Sequence, residues 1–269
     1  MKSIDVKTYP GFKSTTILCL FILYAPLVVI AVYSFNSLRS ITTWGGFTFF
    51  WYLKAFNNPL IQSATLISVG VAVVAALVST SIAISAALAL ARSRAFKGKA
   101  SAFGVINLPL MIPEIVTAVA SLVFFIAIGF QLGLLTILIA HIVFCIPFAY
   151  LPISARLQGI DISFEEASRD LYANKWQSFR YVLLPMLMPG IISGLMLAFI
   201  VSLDDFIITN MVAGPGATTL PLAIYGMVRV GFTPEINAIS TLLLLVSIVF
   251  VTISYFVGRK SESSSDSSD

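Results

Sequence analysis

The chain has 269 residues, of which 58% are hydrophobic and only 10% are charged, and its net charge is +4 at pH 7. Soluble domains normally carry about 25% charged residues, so this composition indicates an integral membrane protein and leaves no polar stretch for a separate soluble domain. The basic residues lie in short loops between apolar runs, not in one patch with interleaved aromatic residues, so nucleic acid is excluded as an expected partner.

The apolar segments predict the fold class, because a helix that crosses a bilayer needs about 20 apolar residues. Such segments lie near residues 15–35, 62–91, 102–128, 133–155, 187–211 and 236–258. We therefore expect an all-α integral membrane protein with six transmembrane helices, built as one domain over residues 1–258. The short apolar segment 222–230 is predicted as a re-entrant or interfacial helix, and the polar residues 259–269 as a disordered tail.

The distribution of Lys and Arg predicts the orientation of these helices. Positive charge in short loops favours the cytoplasmic side of a membrane. On one side of the predicted bundle the basic residues are Arg39, Lys54 and Arg229, whereas all the others fall in the N-terminal segment, the second and fourth loops and the tail. Both termini are therefore predicted to be cytoplasmic.

Residues with metal-binding side chains are few and isolated. Cys19, His141 and Cys145 lie inside apolar runs, without a spacing that indicates a metal site or a disulfide framework. We expect no metal and no cofactor in this chain. His141 is interpreted as a packing residue or as part of a polar lining.

Acidic side chains at bilayer depth are costly and usually face a bundle interior, a partner or a water-filled path. Glu114 follows Pro113 and lies about 18 Å along its predicted helix, near the midplane. Asp204 and Asp205 are adjacent in the predicted fifth helix, and Glu235 lies near the predicted external mouth, either attracting cations or as an exposed loop acid. Because the predicted spans contain no Lys or Arg, these carboxylates are candidates for the path of a cationic substrate. A structural hydrogen-bond network and a proton relay are the alternatives.

The longest predicted cytoplasmic connection, residues 158–184, has the sequence of two short helices. Ser163 followed by Glu166, and Asn174 followed by Gln177, both fit the capping box, in which two side chains satisfy backbone N–H groups at a helix start. A pair of helices at the membrane surface is typical of a docking element. Glu166 is thus either a helix cap alone or a cap that also contacts a partner.

Part of this connection resembles the E-A-A loop of binding-protein-dependent ABC importer permeases. The matching residues are Glu166-Ala167-Ser168-Arg169-Asp170-Leu171, Tyr172 and Leu184-Pro185. In that family the loop fits a cleft on the ATP-hydrolysing subunit, so the resemblance implies that these residues couple the chain to an ATPase. The family usually has glycine where this chain has Tyr172 and a second alanine where it has Ser168. A left-handed turn is unfavourable for a residue other than glycine, so Tyr172 is expected to change the geometry of this turn relative to the family.

Other strings look like the second permease subunit of spermidine/putrescine importers. They are Tyr33-Ser34-Phe35-Asn36-Ser37, Trp51-Tyr52, His141-Ile142-Val143-Phe144-Cys145, Ser202-Leu203-Asp204-Asp205-Phe206, Gly214-Pro215-Gly216 and Pro234-Glu235-Ile236-Asn237-Ala238. The resemblance implies a type I ABC importer permease in the bacterial inner membrane, in contact with lipid and with a small cationic substrate. It further implies a second permease, two ATP-binding subunits that hold ATP and Mg, and a periplasmic binding protein. This chain is expected to be no enzyme, since it contains no Walker sequence.

Two other functions are compatible with the sequence. The first is the same importer architecture with another substrate, such as an opine, an amino acid or ferric iron. The second is an ion-coupled secondary transporter, which needs no ATPase and therefore no docking loop. An intramembrane enzyme ranks last, because the sequence offers no paired nucleophile and base.

Overall fold

The computed structural model describes residues 11–40, 43–92, 97–231 and 233–263, except for the side chains of residue 12 and residues 254–263. Its helices are α1 (Phe12–Tyr33), α2 (Phe50–Phe56), α3 (Pro59–Arg92), α4 (Lys99–Met111), α5 (Glu114–Ala127), α6 (Leu134–Gln158), α7 (Ser163–Asp170), α8 (Lys175–Ser178), α9 (Leu184–Asp204), α10 (Ile207–Val212), α11 (Leu220–Val230) and α12 (Pro234–Ser263). A π-helical turn, Phe179–Leu183, joins α8 to α9. The described ranges contain no strand, only one antiparallel bridge between Asn36 and Phe47, so the all-α prediction is confirmed.

The described residues form two compact units. The smaller unit lies within Met1–Asn58 and Ile224–Leu244, and the larger within Pro59–Ala223 and Leu245–Asp269. In the larger unit α3, α6 and α9 pack against one another, and α10 packs against α5. The single domain over residues 1–258 stays a prediction.

Five described helical segments are long and apolar enough to cross a membrane. They are Lys13–Tyr33, Pro59–Arg92, Leu134–Gln158, Lys175–Asp204 and Pro234–Ile253. A sixth span is added if the bent pair α4 and α5 crosses as one unit. None of the apolar window of the first segment is buried within the chain. The predicted short helix at 222–230 is confirmed as α11, which is too short to span.

The third predicted span is not one continuous helix. α4 ends at Met111, α5 begins at Glu114, and the two helices are bent by 107°. Proline has no backbone N–H and disfavours the helical conformation of the residue before it; Ile112, which precedes Pro113, is extended with ψ 138°. The prediction that Glu114 lies midway along a helix is therefore wrong, because Glu114 is the first residue of α5.

The fifth predicted span, 187–211, is also interrupted. α9 ends at Asp204, Asp205 is extended with ψ 125°, and a new short helix, α10, begins at Ile207. The prediction that both aspartates lie on one continuous helix is wrong. At the other end of the chain, α12 continues to Ser263, five residues into the predicted tail, and residues 264–269 lie outside the described residues.

Small residues allow α6 and α9 to approach closely. A Cβ atom added at Gly194 would lie 2.6 Å from the carbonyl oxygen of Ala149, and one at Gly190 would lie 3.1 Å from that of Pro152. Small residues four positions apart are the usual device for close helix packing in membranes. This contact positions the part of α9 that leads to the helix break at Asp205.

A methyl group at Gly194 should therefore destabilise the larger unit. We expect Gly194→Ala to lower the free energy of unfolding by about 1–3 kcal/mol, the usual range for overpacking, and to lower the Tm measured on the purified protein in detergent. Gly70→Ala is the matched control, because a Cβ there meets nothing within 4 Å. Equal Tm values for the two variants would contradict the close contact.

Candidate functional site

A polar cavity of about 370 Å³ lies in the larger unit, where the two interrupted segments meet. Its lining residues are Glu114, Phe144, Phe148, Val201, Asp204, Asp205, Phe206 and Ile207. The structure thus brings together three of the four carboxylates that the sequence singled out for a substrate path. None of the lining residues is a Lys or Arg, so the cavity is negatively charged when these groups are ionised.

The ends of helices strengthen this negative character. Asp204 is the last residue of α9, and its side chain is exposed. The last carbonyl groups of a helix have no intrahelical donor and have a partial negative charge. Interrupted membrane helices bind cations through such C-terminal carbonyl groups, and the Asp204 carboxylate adds a negative charge at the same end. The Asp204 end of the cavity therefore favours a cation.

Glu114 approaches the same cavity from a helix N-terminus. It lies in the first turn of α5 and is half-buried. An acidic side chain in the first turn is stabilised by the partial positive charge of the free N–H groups there. Since Pro113 starts the new helix direction, the helix break itself places this carboxyl at the cavity.

Asp205 differs from Asp204 in its surroundings, because it is 5% exposed and binds several donors. Its Oδ2 atom accepts hydrogen bonds from the backbone N–H of Thr209 at 2.9 Å and from the Thr209 hydroxyl at 2.9 Å. The same oxygen lies 3.1 Å from Nε2 of His141, and Oδ1 accepts from the N–H of Ile208 at 3.3 Å. Asp205 thus satisfies the first free N–H groups of α10.

His141 completes this network. The buried imidazole on α6 contacts the Ser202 hydroxyl through Nδ1 at 2.8 Å and the Thr209 hydroxyl through Nε2 at 2.9 Å. The sequence interpretation of His141 as a packing residue or part of a polar lining does not include its contact with Asp205. No spacing in the sequence links positions 141 and 205, because their proximity depends on how α6 packs against the helix break.

Glu235 belongs to the smaller unit, where its side chain is buried and bound to neighbouring side chains. Its carboxylate is 3% exposed, forms an ion pair with Lys54 at 2.7 Å and accepts a hydrogen bond from Asn58 at 2.9 Å. The Lys54 ammonium also lies 5.5 Å from the centroid of the Trp51 ring. The interpretation of Glu235 as an exposed loop acid is therefore wrong, while its place in a substrate path stays a prediction.

The predicted ATPase-coupling segment presents most of its residues on the surface. Exposed members are Glu166, Ala167, Arg169, Asp170, Leu171, Tyr172 and Pro185. Ser168 is buried and Leu184 is half-buried. Large apolar side chains exposed beside them are Ile162, Phe164, Trp176 and Tyr181. Exposed apolar side chains with charged neighbours are typical of a protein interaction site.

Tyr172 adopts the left-handed conformation that the family glycine would favour. Its φ is 61°, the one positive value among described residues other than glycine, and its side chain is 97% exposed. The turn is closed by the N–H of Tyr172 on the carbonyl of Arg169 and by that of Ala173 on the carbonyl of Ser168. The turn geometry is therefore retained without glycine, at a cost of roughly 1–2 kcal/mol.

The predicted caps of the two short helices have different outcomes. Asn174 and Gln177 form the reciprocal capping box, with N···O distances of 2.9 and 2.8 Å, which confirms that prediction. The box at Ser163 and Glu166 is wrong, because Ser163 is already inside α7 and Asp161 accepts from its N–H at 2.9 Å. That hydrogen bond, with a smaller effect of the Arg92 charge, lowers the pKa of Asp161 below its usual range.

Two contacts fix the coupling segment to its surroundings. The Ser168 hydroxyl lies 2.7 Å from that of Ser178, which joins α7 to α8 and explains why serine replaces the family alanine. Arg92, the last residue of α3, forms an ion pair with Glu165 at 2.8 Å and donates to the carbonyl of Ile160 at 2.9 Å. A displacement of α7 is thereby linked to α3.

Comparison with known proteins identifies the family. Residues 79–264 match the family described as binding-protein-dependent transport system inner membrane component. The chain is 40% identical over 237 residues to the spermidine/putrescine transport system permease protein PotC of Escherichia coli strain K12, covering 88% of this chain and 89% of that protein. It is 39% identical over 244 residues to the putrescine transport system permease protein PotI of the same strain, covering 88% and 87%.

Solved structures show the same fold. A bacterial alginate ABC transporter, in complex with an alginate pentasaccharide-bound periplasmic protein, gives a TM-score of 0.69 at 16% identity, covering 94% of this chain and 93% of that chain. The inward-facing MetNI methionine ABC transporter gives 0.64 at 20% identity, covering 75% and 96%. The fold is thus that of an ABC transporter permease. The chain belongs to the family of binding-protein-dependent transport system inner membrane components, which confirms the resemblance seen in the sequence.

The conformation of Tyr172 can be tested by two substitutions. Tyr172→Gly removes the ring and the left-handed strain, whereas the matched control Tyr172→Ala removes the ring alone. We expect the glycine variant to be more stable locally by about 1 kcal/mol. Hydrogen exchange at residues 163–178 should then be roughly fivefold slower for glycine than for alanine. Equal exchange rates would contradict a strained turn.

Proposed function

We propose that this chain is the transmembrane permease subunit of an ATP-driven ABC importer for the polyamines spermidine and putrescine. The observation that carries the proposal is the cavity at the two helix breaks, where Glu114, Asp204 and Asp205 meet without a Lys or Arg among the lining residues. The names of the polyamine permeases that the chain resembles support the same substrate class.

The chemistry of the cavity suits a flexible polycation. Ammonium groups are attracted by the carboxylates and by the C-terminal carbonyl groups of α9. The methylene segments between them need apolar contacts, and Phe144, Phe148 and Phe206 lie among the lining residues. Aromatic rings also attract cations through their faces. An anionic or purely apolar substrate would gain little from this combination.

We assign six transmembrane spans, of which α4 and α5 together form one. The protein lies in the bacterial inner membrane, and both of its termini are in the cytoplasm. The distribution of basic residues supports this orientation, since positive charge is enriched on the side that carries residues 158–184. Two of the three external-side cations, Arg39 and Lys54, are then close to Trp51 in the smaller unit, at 6.0 and 5.5 Å from its ring centroid.

Coupling to ATP hydrolysis is assigned to α7, the Tyr172 turn and α8. Their exposed apolar and charged side chains dock on an ATP-binding subunit, which holds the ATP and Mg. The ion pair between Arg92 and Glu165 then transmits movement of α7 to α3, which packs directly on α6 and α9. The complete importer contains this chain, a second homologous permease, two ATP-binding subunits and a periplasmic binding protein that delivers the substrate.

The substrate is tested by uptake of labelled putrescine and spermidine into cells that lack their own polyamine import. Cells receive the companion subunits with or without this chain. We expect uptake only with this chain, and its collapse on ATP depletion. An assembled complex that takes up neither polyamine would indicate another substrate for the same architecture. Uptake that survives without the ATPase would indicate a secondary transporter.

The docking surface is tested by Glu166→Ala. Loss of this exposed carboxylate should weaken binding of the ATP-binding subunit about tenfold, equivalent to 1.4 kcal/mol, while insertion into the membrane is unchanged. The measurement is the affinity of the purified permease for that subunit. Ser163→Ala, which removes an uncharged hydroxyl from an exposed position of the same helix, is the control. Unchanged affinity and transport in Glu166→Ala would contradict docking through this carboxylate.

A further inference from the structure

We infer that the two adjacent aspartates have separate functions: Asp205, held by His141 and Thr209, is a positioning residue for the helix break, whereas Asp204 and Glu114 bind the ammonium groups of the substrate. This inference rests on the proposed function and divides its site into a rigid part and a recognition part. The division follows from hydrogen bonding and exposure.

The carboxylate of Asp205 is already occupied by donors from the chain itself. Oδ2 receives the Thr209 N–H, the Thr209 hydroxyl and the Nε2 side of His141, all within 3.1 Å, and Oδ1 receives the N–H of Ile208. A carboxylate oxygen has about two acceptor directions, so the three donors saturate Oδ2 and a substrate ammonium reaches this oxygen only by displacing one of them. Displacement would leave backbone N–H groups at bilayer depth without a partner, which is costly.

His141 makes this arrangement rigid because its ring joins three helices. The imidazole extends from α6, Nδ1 meets Ser202 on α9, and Nε2 meets Thr209 on α10 and Asp205 between them. Both oxygens near Nε2 accept hydrogen bonds, because a carboxylate has no donor and the Thr209 hydroxyl donates its own hydrogen to Asp205, so the hydrogen of the imidazole is on Nε2. The helix break at the extended residue Asp205 is therefore fixed on both sides, and so is the direction in which α9 ends.

Asp204 has the opposite environment, and Glu114 reaches the cavity beside Asp205, with which its side chain interacts. Asp204 is exposed and Glu114 is half-buried, and both line the cavity. The orientation of Asp204 depends on where α9 stops, which the Asp205 network determines. The network therefore sets the geometry of the recognition site, and its loss should reduce turnover for every substrate alike. Loss of a recognition carboxylate should instead weaken binding, and more so for a substrate with more charges.

The test measures initial uptake rates in the assembled importer, normalised to the amount of complex in the membrane, for putrescine, a dication, and spermidine, a trication. We expect Asp204→Asn to raise KM, more for spermidine than for putrescine, with Vmax changed by less than about twofold. Asp205→Asn and His141→Ala should lower Vmax about tenfold for both substrates with similar KM, as expected for loss of buried hydrogen bonds. His141→Gln, which keeps an N–H donor, should restore part of Vmax.

A double variant separates one network from two independent effects. His141→Ala combined with Asp205→Asn should be no slower than Asp205→Asn alone, because residues in one network have non-additive effects. If these variants fail to assemble, Thr209→Val removes only the hydroxyl, keeps the side-chain shape and should lower Vmax without a change in KM.

The outcomes distinguish this inference from the proposed function. A charge-dependent rise of KM in Asp205→Asn, unchanged KM in Asp204→Asn, or additive effects in the double variant would overturn the inference while wild-type uptake still supports the importer. Absence of polyamine uptake by the assembled wild-type complex would overturn both.

Discussion

The buried carboxylate of Asp205 and its donors are the interaction on which the rest of the larger unit depends. Within a bilayer a helix can stop only where its free backbone groups find partners in the protein or face a cavity. At Asp205 the side chain accepts the first N–H groups of α10, and His141 anchors that carboxylate to α6. The interruption, the exposed end of α9 at Asp204 and the polar cavity beside it all follow from this one satisfied acceptor.

The second interruption arises differently and serves the same cavity. Pro113 forces Ile112 out of the helical conformation, and the 107° bend points the first turn of α5 at the cavity. The break after Asp204 exposes the C-terminus of α9, which has a partial negative charge, and the break at Pro113 places Glu114 at the N-terminus of α5, which has a partial positive charge. The close packing of α6 and α9 at Gly194 positions the first of these breaks. The charge distribution at the cavity therefore depends on the partial charges of the two helix ends as well as on the charges of the side chains.

Much of this architecture could be predicted from the sequence, because hydropathy and local capping depend on nearby residues. The all-α class, α11, the pair of short helices and the capping box at Asn174 are confirmed for that reason. The break at Asp205 was missed because an aspartate at bilayer depth does not reveal whether it projects from a helix or ends one. The role of His141 was missed because it depends on contacts across 61 and 68 positions of sequence. The predicted cap at Ser163 is wrong because α7 begins at Ser163 itself and the side-chain acceptor near its start is Asp161.

The isolation of α1 has a consequence for how the protein is made. No part of its apolar window is buried within the chain, so transfer of its exposed apolar side chains into lipid stabilises it in a membrane. Such a segment is stable in the bilayer as soon as it leaves the ribosome. It can therefore fix the orientation of the nascent chain before α3, α6 and α9 exist to pack together.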